Sequence, residues 1–254
     1  MSITTESLVM AIAMAAAAGL VGSFAVMRRM SLAADPLSHV ALPGIGVALA
    51  WHIQPIFGAV AMLLFGALLV WALEERTRTA TETVIGVVFS AALAIGSITT
   101  SGEDLIDALF GGAGALSRSE IVFGLAAASA IVSFIIAARK QLVIILVSPD
   151  VARTTGIRVR RLDLLYLEAF ALTIALGLRY LGVLLMGALI IVPAATARRL
   201  TRNLTSMLSV AVALSILSTL LGTGIATHLH SQTGPLIVIV ATALFLLSLL
   251  LPRR

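Results

Sequence analysis

The chain has no cysteine, a single lysine and few aromatic residues, 5% of its 254 positions. Without cysteine there are no disulfides, no thiolate metal sites and no cysteine nucleophile. Only oxygen, imidazole and thioether donors remain for a metal. The one lysine, Lys140, follows no glycine, so no Gly-Lys phosphate-binding loop can be built and any ATP-driven work needs another subunit. The His-Glu-x-x-His pair of zinc proteases and the Gly-x-Ser-x-Gly nucleophile elbow are missing too. Charge is scarce at 11%, against 60% hydrophobic residues, which is the balance of a membrane protein. The first apolar run is long enough to span, and its positive charges follow it, so it reads as a retained segment and not as a signal peptide.

A span takes about 20 apolar residues, fewer where a helix is broken inside protein. Six stretches qualify clearly: 7–27, 56–73, 84–100, 121–138, 204–227 and 235–251. Three more are short or interrupted: 39–51, 162–178 and 182–197. Arginine and lysine should collect in alternate, inner loops. With an outer amino terminus and nine passes they do, for those loops hold all but Arg118 and Arg179 of the 17 basic residues. The net charge of +5 is thus explained by topology. It comes in short clusters without aromatic interleaving, which argues against nucleic acid as a partner. The outer stretch 101–120 spaces its apolar residues as a short interfacial helix would, and 148–161, "SPDVARTTGIRVRR", reads as a short inner-surface helix and turn. No linker divides the chain. The expected fold is all-α, a single polytopic helical bundle over 1–254 with eight or nine spans, some of them short or broken.

The stretch "DPLSHVALPGIGVA" places Asp35 and His39 one helical turn apart. An aspartate before a proline is a common helix start, so capping is one reading. Metal coordination is the other, since an imidazole in a span tends to face the bundle interior or a water-filled path. Pro43 has no amide hydrogen, which frees the carbonyl of His39, and Gly44 adds flexibility. Carboxylate, imidazole and freed carbonyl together outline a site for a hard-to-borderline cation. In "GVLLMGALIIVPAATARR", Pro193 frees the carbonyl of Leu189 in the same way, so this second broken helix lines the path or simply packs. His52, His228 and His230 fall in outer loops as candidate outer metal contacts. Glu168 lies within a span, where an acid is a functional candidate and would be the coupling group of an ion-coupled secondary carrier.

Five stretches taken in order resemble the membrane subunit of zinc and manganese ABC importers. They are "RRMSLAADPLSHVALPGIGVAL", "TETVIGVVFSAALAIGSI", "LIDALFGG", "SPDVARTTGIRVRRLDLL" and "GALIIVPAATARRL". The resemblance implies a type II importer-like permease in the cytoplasmic membrane, working as a homodimer. It implies two cytoplasmic ATP-binding subunits, delivery from an extracytoplasmic metal-binding protein, and no permanently bound cofactor. The cargo would be zinc or manganese, with iron as a further candidate. In that family the Asp-x-x-x-His pair lies on the metal path, which here means Asp35 and His39. A fainter likeness to cobalamin and siderophore permeases implies that 194–206, carrying Ala194, Arg198, Arg199 and Arg202, engages the ATPase. The segment 148–161, with Ala152 and Gly156, is the second candidate for that contact.

Overall fold

The computed structural model describes residues 5–77, 79–99, 118–181 and 183–251. Eleven α-helices and no strand are found among them: α1 Thr5–Met27, α2 Ala34–His39, α3 Ala41–Ala50, α4 Pro55–Thr77, α5 Thr81–Thr99, α6 Arg118–Val147, α7 Pro149–Thr154, α8 Val159–Leu181, α9 Val183–Leu200, α10 Leu204–Leu229 and α11 Thr233–Ser248. The helix expected within 101–120 lies almost wholly outside the described residues, as do Arg78, Gly182, Arg253 and Arg254 and the side chain of Arg179. Five helices are long and apolar enough to cross a membrane by length and composition: α1, α4, α5, α6 and α10. Counting α2 and α3 as one interrupted pass, the described helices traverse the bundle nine times. The ends of α1, α4, α9 and α11 meet the starts of α5 and α8 at one end, where the arginines of the alternate loops gather. That basic end is the inner side by the charge rule.

The alanine-rich α1 is the central helix, packed against α6, α8, α9 and α10. Small residues let the backbones approach: Gly19 lies on the backbone of Ala211 in α10 and Gly22 on the carbonyl of Ile190 in α9. Tyr166, fully buried on α8, donates its hydroxyl to the carbonyl of Val21 at 3.1 Å, which satisfies a phenol where no water can. Large apolar side chains such as Phe65, Val122 and Ile98 point outward, the distribution expected where the surrounding solvent is lipid. A second group, α3 with α4 and α5, joins the first through the packing of α4 on α8.

One expected boundary is wrong. The span 121–138 was drawn to stop at Arg139 and Lys140, but α6 runs on to Val147 as a 30-residue helix. At 1.5 Å per residue it is about 45 Å long, beyond the roughly 30 Å hydrocarbon core. Arginine and lysine are good helix formers, so their charges interrupt the apolar run without ending the helix. The tail carries α7 about 12 Å past Arg139.

Candidate functional site

The break between α2 and α3 falls at Val40, three residues before Pro43. Val40 keeps helical dihedrals, φ −63° and ψ −19°, and its amide turns back to the carbonyl of Leu37 at 3.1 Å. The chain therefore tightens for one residue and resumes. The missing amide of Pro43 deprives the carbonyl of His39 of its usual i+4 partner at that point. Asp35 and His39 lie on one face of α2, one turn apart.

The capping reading of Asp35 is overturned. The N-cap of α2 is Ala33, already helical at φ −71° and ψ −25°, with no side-chain cap, and Asp35 is the second residue of the helix. The turn from Met30 to Ala33 winds in the helical sense, with Ala33 donating to Met30 and Leu37 to Ala33, so the helix starts before the aspartate. The Asp35 carboxylate is left exposed on the surface of the chain and outside the cap.

α2 packs most closely on α9 and α5. A Cβ at Gly187 of α9 would stand 3.4 Å from the Asp35 amide nitrogen, in ordinary contact, so the second broken helix lies against the start of the first. Gly187 precedes Arg198, at the basic end, by eleven residues of α9 or about 16 Å, roughly half the hydrocarbon thickness. The pair thus sits well above the inner ends of the helices although Arg28 and Arg29 come only a few residues before it. On the other side, Gly96 of α5 lies on Leu42 and Pro43, and the ring of Phe89 stands 5.6 Å from that of His39. The Nδ1 of His39 is buried with no hydrogen-bond partner among the described residues. Among the described residues no group of three or more His, Asp or Glu side chains is placed to hold a metal ion.

Residues 1–252 match the ABC 3 transport family. The chain belongs to that family. It is 31% identical over 238 residues to a protein named high-affinity zinc uptake system membrane protein ZnuB, from Haemophilus influenzae, covering 92% of this chain and 91% of the other. It is 29% identical over 249 residues to the manganese transport system membrane protein MntC of Listeria innocua, covering 96% and 89%. The solved structure of PsaBC from Streptococcus pneumoniae in complex with Fab superposes with a TM-score of 0.81 at 29% identity, over 95% of this chain and 88% of that one. The all-α membrane fold of an importer permease follows from these likenesses. They lend nothing to a secondary carrier driven through Glu168, which is half-buried on α8.

In this ABC 3 chain the outer histidines stand apart from Asp35 and His39. His52 and His230 occupy left-handed positions just past α3 and α10, at φ 55° and 50°. The following amides, of Ile53 and Ser231, return to Ala48 and Ala226 and close those helix ends. His228 is exposed in the last turn of α10.

At the basic end the arginines of α9 hold their own chain. Arg198 donates to the carbonyl of Val26 at 3.0 Å, and Arg199 donates to the carbonyls of Ser248, Leu249 and Leu251. These carbonyls lie at or just past the ends of α1 and α11, where helix geometry leaves acceptor capacity free; those of Val26 and Ser248 also accept from the amides of Arg29 and Leu251. Ala194 is fully buried and presents no surface, whereas Arg202 is exposed. The helix α7 is built differently. Ser148 caps it by accepting from the amide of Val151, Pro149 starts it, Ala152 is buried beneath it, and Gly156 at φ 80° turns the chain away. Asp150, Val151 and Arg153 face outward.

Residues that the sequence reading missed tie this end together. Arg28 pairs with Asp163 at 2.8 Å and lies 4.3 Å over the Tyr166 ring. Arg160 pairs with Glu75 at 3.0 Å and stacks on Trp71, whose indole donates to the carbonyl of Arg160. Thr81 donates to Glu74 at 2.7 Å. Their one signal was the presence of acids beside arginines in loops already assigned to one side.

Proposed function

We propose that this chain is the membrane-spanning permease subunit of an ATP-binding cassette importer that moves a divalent transition metal, zinc or manganese, across the cytoplasmic membrane. The observation that carries the reading is the Asp35 and His39 pair on an interrupted helix, about halfway along the bundle and beside a second proline-broken helix, in a chain of this family. Both are transient ligands of the cargo ion. Two copies of the chain facing one another give two carboxylates and two imidazoles, a donor set suited to zinc and tolerable for manganese. Hydrolysis of ATP belongs to two cytoplasmic subunits, since this chain has no phosphate-binding loop. An extracytoplasmic metal-binding protein delivers the ion from the side of His52, His228 and His230.

The main ATPase contact in this reading is α7, ahead of 194–206. It stands at the end of a helix that outruns the hydrocarbon core, with polar side chains outward, whereas Arg198 and Arg199 already bind carbonyls of their own chain. Movement of α7 passes directly into α8, which Asp163 joins to α1 and which packs on α2, so closure of the ATPases reaches the site as a rigid-body shift. The test is metal uptake by cells carrying Asp35→Asn or His39→Ala at matched expression. Uptake should fall in both, and full uptake in both would overturn the site.

A further inference from the structure

The orphaned nitrogen of His39 has a consequence for how the site releases its cargo. A metal-bound histidine nearly always donates its second ring N–H to a carboxylate, carbonyl or water, which fixes the ring and raises its basicity. Here Nδ1 is buried and has no hydrogen-bond partner among the described residues, which leaves Nε2 as the ring nitrogen for a ligand. What stands beside the imidazole instead is the ring of Phe89, half-buried on α5, at 5.6 Å between centroids and 53° between planes. A tilted aromatic contact restricts ring rotation while accepting no conventional hydrogen bond.

We propose that Phe89 is a positioning residue for His39, holding the imidazole by ring contact so that Nε2 meets the cargo metal beside Asp35 while Nδ1 stays unpaired. This rests on the reading of His39 as a ligand. The arrangement orients the ligand without strengthening it. An outer-shell hydrogen bond typically changes metal affinity 10–100-fold, and a transit site that held its ion so much more firmly would release it too slowly. The placement of Phe89 is set by the fold, because Gly96 brings α5 against Leu42 and Pro43 two turns further along the same helix.

The experiment pairs Zn2+ binding by the purified full-length protein, measured by equilibrium dialysis, with Zn2+ uptake by cells, in three variants. Phe89→Leu keeps bulk but loses the ring, and should weaken binding about 10-fold and lower uptake. Phe89→Tyr keeps the ring and should restore both. Phe89→Gln offers Nδ1 an amide oxygen, and should tighten binding about 10-fold while slowing uptake. A side chain that merely filled space would move binding and uptake together in all three. Parallel loss of both in Phe89→Gln, or no change in Phe89→Leu, would overturn the proposal. His39→Ala separates the two levels: retained uptake refutes the ligand itself, whereas lost uptake with inert Phe89 variants refutes only the role of Phe89.

Discussion

Arg28 and Asp163, 135 residues apart, meet at 2.8 Å and join the end of α1 to the second turn of α8. The arginine side chain is only 13% exposed and the aspartate 31%, so the pair is shielded enough to matter. The guanidinium also covers the Tyr166 ring, and Tyr166 in turn donates to Val21 on α1. Replacing Arg28 with alanine therefore removes a charge-assisted hydrogen bond and a cation–π contact. A loss of about 1.5–3 kcal/mol is expected, seen as a lower melting temperature in detergent. Arg28→Lys should recover only part of it, because an ammonium lacks the planar fork and stacks less well.

The crossing of α3 and α4 permits no side chain at Gly44 or Gly58. A Cβ on either would run into the backbone carbonyl of the other. Gly44→Ala and Gly58→Ala should each push the helices apart and reduce both folded yield and uptake. Gly86 and Gly224, also helical, have open space where a Cβ would go. Alanine at those two positions should be neutral or stabilising by up to about 1 kcal/mol, from helix propensity alone. Equal effects at all four positions would contradict the close approach.

Gly187 grades differently. Its nearest neighbours to a new Cβ are the Asp35 amide at 3.4 Å and the Ala34 Cβ at 3.6 Å, which is ordinary contact. Gly187→Ala should therefore keep most metal uptake. Gly187→Leu must move the start of α2, and uptake should fall severalfold while folded yield changes little. Measuring yield and uptake side by side checks whether the site is displaced or the fold is lost.

The two candidate ATPase contacts separate by stability. The Asp150 and Arg153 side chains on α7 are 90% and 68% exposed, and such a pair contributes only about 0–1 kcal/mol. Arg153→Glu should leave the melting temperature unchanged and reduce co-purification of the ATPase. Arg199→Ala strips donors from three carbonyls near the end of α11 and should lower the melting temperature, with ATPase binding falling only as far as folding does. The reverse pattern would return the docking role to 194–206.

Much of the architecture was legible from local chemistry. Long apolar runs and alternating arginine clusters led to nine passes and to the gathering of basic loops at one end, because hydropathy and loop charge act segment by segment. The interruption near His39 followed from the missing amide of Pro43, and the cap of α7 from Ser148 before Pro149, each set by a few neighbouring residues. Tertiary structure decided what those segments meet. It took Asp35 out of the cap and placed it level with Gly187, put Phe89 beside His39, and turned Arg198 and Arg199 onto Val26 and the end of α11. These partners lie up to 172 residues away in the chain, and in a bundle a carbonyl at a helix end draws whichever donor the packing brings near. A one-dimensional pattern carries the period of a helix and the sign of a loop, but not which neighbour that helix will face.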